Sequence, residues 1–204
     1  MLRVGVLVSG RGTNLQALLD ASAQPDFPAR VVLVGCNRAT APAIERAEAA
    51  AVRVCLVDRT ARRSRGERQR ALLEALRAAR VELVVLAGFD EILSSEFVAA
   101  FSGRIINTHP SLLPAFGGTM HAVEQALTHG VKITGCTVHL VTDQLDAGPI
   151  LFQRCVEVRD DDDVETLHGR IREQEHRLLP VALAAFAEGR VRVEQDGRVR
   201  VVAS

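Results

Sequence analysis

The sequence predicts an α/β fold, a doubly wound and mostly parallel twisted sheet with helices on both faces. Three observations lead there. Short runs rich in Val and Leu recur through the first half of the chain, each too brief to be a buried helix. Longer segments with helical spacing of apolar residues separate them. The length of 204 residues, with 48% hydrophobic and 25% charged residues, is that of an ordinary globular chain.

The runs Arg3–Ser9, Ala29–Cys36, Arg53–Val57 and Leu83–Leu86 read as strands buried on both faces. Between them, a helix over Leu15–Ala23 follows Asn14 as its N-cap, and Pro42–Ala51 opens with proline in a first-turn position. Glu67–Ala79 places Leu72, Leu73 and Leu76 on one face, and Ser95–Phe101 is a shorter helix. Such alternation implies parallel strands joined by right-handed crossovers.

After a further strand, Arg104–Asn107, the pattern changes. A Pro/Gly-rich loop, Pro110–Gly118, leads into a short helix from Val123 to His129. Two β-rich runs, Ile133–Val141 and Ile150–Val158, are joined by a turn at Asp143–Pro149. A long helix, Val164–Ala187, precedes a terminal hairpin around Asp196-Gly197. No repeat or low-complexity linker interrupts the chain, so one domain over 1–204 is expected.

Composition narrows the functional classes. The 25 basic and 25 acidic residues cancel, which gives no electrostatic case for bulk nucleic-acid or anionic-membrane binding. Lys132 is the sole lysine, a skew for which codon bias is the plain reading and ion-pair thermostabilisation the alternative. The lack of Trp and Tyr weakens any proposal that needs an aromatic platform for bases. No apolar run reaches the ~18 residues of a membrane helix, and the N-terminus lacks signal-peptide character. Cys36, Cys55, Cys136 and Cys155 are separated by 19, 81 and 19 residues, which is neither a zinc spacing nor CxxC. Each lies in an apolar strand-like run and is expected to be a buried free thiol in a reducing cytoplasm.

Sheets of this class bind ligands beyond the carboxyl ends of their strands, so the chemistry is sought there. After the first strand comes Ser9-Gly10-Arg11-Gly12-Thr13-Asn14-Leu15. Two glycines allow close backbone approach to an anion, and the following helix offers free N–H groups and its positive dipole end. A dinucleotide fingerprint would need a small residue at Leu15 and an acid where Cys36-Asn37 stand, and GK[ST] is absent. A small phosphate ester fits this loop better than NAD or ATP, and a bare tight turn is the plain alternative.

The strand ending in Asn107-Thr108-His109-Pro110 alternates its side chains, so Asn107 and His109 face one side. A donor amide and an imidazole there can cradle a developing oxyanion. Asp146 lies 37 residues beyond His109 in a Gly-Pro turn. Folded back onto His109, it would orient the ring, favour its protonated form and relay protons. With no Ser or Cys nucleophile beside a His, the three groups suggest acyl transfer without a covalent intermediate. His129, at a helix end, reads as a surface residue, and His139, inside a strand, as a buried hydrogen-bonded one rather than a catalyst. Asp160–Asp163 reads as solvated charge before a helix, and no metal site is expected.

Taken together, Ser9–Leu15, Leu86-Ala87-Gly88-Phe89, Asn107–Pro114, Gly130–Val141, Leu145–Pro149 and Gln174-Glu175-His176 resemble the phosphoribosylglycinamide (glycinamide ribonucleotide) formyltransferase family, within the folate-dependent formyltransferases. The resemblance covers nearly the whole chain. It implies a formyltransferase-like fold whose Rossmann-like half, 1–103, binds phosphate and whose second half, 104–204, is catalytic and folate-binding. It puts the catalytic trio on Asn107, His109 and Asp146, and the substrate phosphate on Gly12, Thr13 and Asn14. Glu175 would face the glycinamide end. Folate would contact Phe89, Asp90, Glu91, Ile92 and Leu93, together with Val141, with Arg65 nearby in a Ser64-Arg65 pair.

The chain departs from the family pattern in two places. Relatives commonly follow AGF with Met and a basic residue, where this chain has Asp90-Glu91. The stretch Phe116–Ala122 differs from the usual Pro-Gly-x-His-Ala-His and is one residue longer than in some relatives, so no role is carried onto His121.

The function implied is formyl transfer from 10-formyltetrahydrofolate, as co-substrate, to the amine of glycinamide ribonucleotide in purine biosynthesis. The partners would be those two small molecules, with no nucleic acid, membrane or metal, and the protein a cytoplasmic monomer or weak homodimer. The alternatives are a 10-formyltetrahydrofolate hydrolase, a methionyl-tRNA formyltransferase, or a non-catalytic phosphate-ligand sensor. The chain's length is expected to leave no room for the extra domains of the first two.

Overall fold

β1 (Leu2–Val8) pairs in parallel with β2 (Ala29–Cys36) on one side and β4 (Leu83–Leu86) on the other. Its Val4, Val6, Leu7 and Val8 are fully buried, as strands flanked on both edges and covered by helices must be. The structure, a computed structural model, describes residues 1–61, 64–194 and 198–202. It forms two compact units, Met1–Ile106 and Asn107–Ser204, where the sequence placed the division at 103/104.

The first unit adds β3 (Val54–Leu56), parallel to β2, and the helices α1 (Thr13–Ser22), α2 (Ala43–Ala49), α3 (Arg65–Ala78) and α4 (Ser95–Ala100). α3 opens with a capping box, the Ser64 hydroxyl accepting from Glu67 N while Glu67 accepts from Ser64 N, and it buries Leu72, Leu73 and Leu76. It therefore begins two residues before the expected Glu67, and Arg65 lies in its first turn.

Two expectations are corrected here. Asn14 is not the N-cap of α1. Gly12 takes that position in the left-handed region (φ 72°), and Asn14 is buried inside the helix. β3 is not buried on both faces, because it closes the sheet at one edge. Cys55 is half-buried and Leu56 is 46% exposed.

In the second unit β5 (Ile105–His109), which spans the division, is followed by α5 (Ala122–Thr128), β6 (Ile133–Leu140) and β7 (Ile150–Glu157). β6 and β7 are antiparallel, with Cys136 opposite Arg154. α6 (Val164–Ala187) is capped by Asp163 and packs on β6 and β7. β8 (Val191–Val193) and β9 (Val199–Val201) form a separate antiparallel ribbon. The turn expected at Asp196-Gly197 lies outside the described residues.

The hydrogen-bonded strand order is β3-β2-β1-β4-β5-β6-β7, a mostly parallel α/β sheet. All four cysteines are free thiols. Cys36 and Cys136 are buried, and burial pushes the Cys136 thiol up to about 12. Cys155, expected buried, is exposed because β7 is the other sheet edge, where Gln153, Arg154 and Cys155 are exposed on both faces of the strand. No helix among the described residues is long and apolar enough to cross a membrane.

Candidate active site

β5 delivers its last three side chains to two faces, as strand alternation requires. Thr108 goes one way, its hydroxyl donating to Glu175 Oε1 at 3.1 Å, and Glu175 is buried in α6. Asn107 and His109 go the other way, to Asp146 and His139. His109 Nδ1 lies 3.4 Å from Asp146 Oδ2, and both side chains are under a tenth exposed. His109 Nε2 lies 2.8 Å from the carbonyl oxygen of Phe116, which can only accept, so Nε2 carries a hydrogen. A protonated His109 would donate from Nε2 to the Phe116 carbonyl and be ion-paired with Asp146 at Nδ1.

His139 completes the cluster. Its Nδ1 stands 2.9 Å from the Leu140 carbonyl and must donate, which leaves Nε2 of the neutral ring as an acceptor. Asn107 Nδ2 is 3.2 Å from that nitrogen, and Asp146 Oδ1 is 3.6 Å from it. The expectation that His139 is buried and hydrogen-bonded is met, but its partners are two of the candidate catalytic residues. The signal lay in a lone imidazole within an apolar strand, which must find partners. That Asn107 on β5 is one of them follows only from β5 and β6 being neighbours, while Asp146 comes from the turn after β6.

Asp146 owes its position to the turn around it. Its backbone is left-handed (φ 51°), and its Oδ2 accepts from Gly118 N at 2.9 Å. A side chain at Gly148 would come within 1.9 Å of the Leu140 carbonyl oxygen, so only glycine lets the turn lie against the end of β6. Burial opposes ionisation of Asp146. The adjacent His139 ring, the hydrogen bond from Gly118 N and the His109 ring nonetheless hold its carboxyl below the usual range.

In the first unit Gly12, Thr13 and Asn14 stand together where β1 leads into α1, and no side chain caps the helix start. Asp90 and Glu91, the departure from the family pattern, are both neutralised. Asp90 accepts from Asn37 Nδ2 (3.0 Å), Arg59 Nη1 (3.0 Å) and Arg38, and its own N–H donates to Ser9 Oγ at 2.9 Å. Glu91 pairs with Arg68 at 2.7 Å and accepts from Gln69 at 3.0 Å. Burial works against the Asp90 charge, but these donors hold its pKa at about 2. Phe89, Leu93 and Val141 are half-buried, Ile92 is 61% exposed, and Arg65 is exposed.

The remaining polar residues sort simply. His129 caps the end of α5 on the surface, its Nδ1 2.8 Å from Gln125 O. His121 is exposed beside Glu124. The Asp160–Asp163 run is not wholly solvated, because Asp162 is covered by Arg170 while Asp163 caps α6.

The end of β5 thus brings an amide and an imidazole beside a second imidazole from β6 and a carboxylate that lies near both rings. The formyl transferase family model matches residues 2–183, and the chain belongs to that family. The chain is 51% identical over 185 residues to a phosphoribosylglycinamide formyltransferase of Mycobacterium tuberculosis, covering 91% of this chain and 85% of that one. It is 44% identical to the trifunctional purine biosynthetic protein adenosine-3 of Gallus gallus over 97% of its own length, which is 20% of that protein. The chain thus spans about a fifth of such relatives. A crystal structure of glycinamide ribonucleotide transformylase 1 from Symbiobacterium toebii superposes with a TM-score of 0.95 at 48% identity, covering 100% of this chain and 95% of that one.

Proposed function

We propose that this chain transfers the formyl group of 10-formyltetrahydrofolate to the amine of glycinamide ribonucleotide, a step of purine biosynthesis. The observation that carries the reading is the Asp146 carboxylate, set between His109 and His139 with Asn107 bonded to the latter. One hydrogen of Asn107 Nδ2 is held by His139 and the second is free to meet an oxyanion.

The neutral amine attacks the formyl carbon, and the carbonyl π pair moves to oxygen. Asn107 and protonated His109 hold that oxyanion, the formyl oxygen taking the place of the Phe116 carbonyl at His109 Nε2. Asp146, directly or through water, accepts the amine proton. The carbon–nitrogen bond to folate then breaks, and the proton passes to the departing nitrogen. Gly12, Thr13 and Asn14 bind the ribonucleotide phosphate, and Glu175 faces the glycinamide end. Folate lies against Phe89–Leu93 and Val141, with Arg65 nearby, and the paired Asp90 and Glu91 present no bare charge to it.

The protein works as one formyltransferase domain in the cytoplasm, as a monomer or weak homodimer, with these two small molecules as partners and without metal or nucleic acid. The test is a steady-state assay with both substrates, following folate absorbance. Turnover that requires the ribonucleotide is expected. Turnover without it points to a hydrolase, and none with both to a ligand sensor.

A further inference from the structure

We infer that Arg46, on α2, is a positioning residue that aims the backbone N–H groups of the Ser9–Asn14 loop at the phosphate. The inference rests on the proposed phosphate site. Arg46 Nε donates to the Arg11 carbonyl oxygen at 2.9 Å, and its Nη1 donates to Gln16 Oε1 at 3.1 Å. One guanidinium therefore grips the loop just before Gly12 and the first turn of α1 just after it. Three residues earlier on α2, Ala43 N donates to the Gly10 carbonyl at 3.2 Å.

Two consecutive carbonyls of the loop are thus drawn to the same helix. In a trans peptide the C=O of one residue and the N–H of the next point in opposite directions. Pulling the Gly10 and Arg11 carbonyls toward α2 turns the N–H groups of Arg11 and Gly12 away from it. Neither N–H has a partner among the described residues. Successive N–H groups turned to one side form an anion-binding concavity, and here they adjoin the uncapped start of α1.

Gly12 shows how close the clamp is. Its φ of 72° is left-handed, and a Cβ there would lie 2.7 Å from Ala43 Cβ. The loop has been drawn against α2 as far as a residue without a side chain allows. Arg46 does this as a fork, reaching two acceptors at once, which an ammonium group does not reproduce. Its role is geometric, and its charge alone is not the agent.

The test titrates inorganic phosphate into the ¹⁵N-labelled full chain and follows the Arg11, Gly12 and Thr13 amides, in wild type, Arg46→Met and Arg46→Lys. Thermal unfolding without phosphate reports on the fold of each variant. In wild type these amides should shift on titration. Loss of two charge-assisted hydrogen bonds should weaken phosphate binding by roughly tenfold in Arg46→Met. Ribonucleotide KM should rise by a similar factor with kcat changed much less. Arg46→Lys, which keeps the charge without the fork, should also lose affinity.

Wild-type affinity in Arg46→Lys would show that charge suffices and overturn the inference. So would equal affinity in Arg46→Met, with the loop amides still responding and the phosphate reading intact. Silent loop amides in the wild type would remove the phosphate site itself, and the inference with it.

Discussion

Asn107 Nδ2 lies 3.2 Å from His139 Nε2, and the other nitrogen of that ring stands 2.9 Å from the Leu140 carbonyl oxygen. The carbonyl fixes the tautomer, the tautomer makes Nε2 an acceptor, and the acceptor sets which end of the Asn107 amide faces it. His139 thereby decides whether Asn107 presents a donor or an oxygen to an oxyanion. His139→Leu should lower kcat by about tenfold, the scale of one misdirected hydrogen bond, with KM values little changed. His139→Gln, whose side-chain oxygen can accept from Asn107, should recover part of the loss. A folded His139→Leu enzyme with wild-type kcat would exclude this role.

Gly12 offers a second test, on the first unit. Gly12→Ala forces a side chain into a left-handed residue and against Ala43. Strain at such a position costs on the order of 1–3 kcal/mol. The loop should move, raising ribonucleotide KM while folate affinity stays near wild type. Parallel losses of both affinities would mean that the loop does not hold the phosphate.

Asp90 carries a pH prediction. Its folded pKa of about 2 lies below the ordinary value of 3.8, so the ionised form is favoured by folding. The stability it contributes is complete above the unfolded pKa and is lost as pH falls through about 2. Its arginine partners are 42% exposed, and solvent screening leaves a contribution of about 1 kcal/mol. Asp90→Asn should show that deficit in urea unfolding at neutral pH. The gap to wild type should narrow from about pH 4 downward. A gap independent of pH would remove the charge from the explanation.

These residues also show what a sequence can and cannot reveal. Asn107 and His109 were legible because strand alternation is local, and Thr108 turning to Glu175 is the other half of that rule. Asp146 offered only turn chemistry, and its partnership with His109 came from family resemblance. His139 was legible as a buried, hydrogen-bonded residue, but its contact with Asn107 was not, because that depends on which strand lies beside β5. The arginines that neutralise Asp90 arrive from 52 and 31 residues away, beyond any local pattern. Asn14 failed as a cap because Gly12, bent by its contact with α2, starts the helix earlier. The exposure of β3 and of Cys155 reflects edge position, which apolar composition does not encode.

The mechanism itself yields the sharpest prediction. Asn107 and His109 are assigned to an oxyanion that exists only in the transition state, and removing one such donor costs ~2.7–4 kcal/mol, about 10²–10³ in kcat. Asn107→Ala and His109→Ala should each fall in that range, with KM values moving much less. Asp146 is held below the ordinary carboxylate range, so it stays ionised and able to accept a proton throughout the neutral region. Asp146→Asn keeps the size but removes both the base and the negative partner at His109 Nδ1, 3.4 Å away. It should lower kcat and shift the acid limb of the pH–rate profile. His109 and Asp146 are in contact and act on one proton path, so the double variant should lose less than the product of the two single losses. Full additivity, or wild-type kcat in Asp146→Asn, would separate Asp146 from proton transfer and leave the oxyanion pair to act without it.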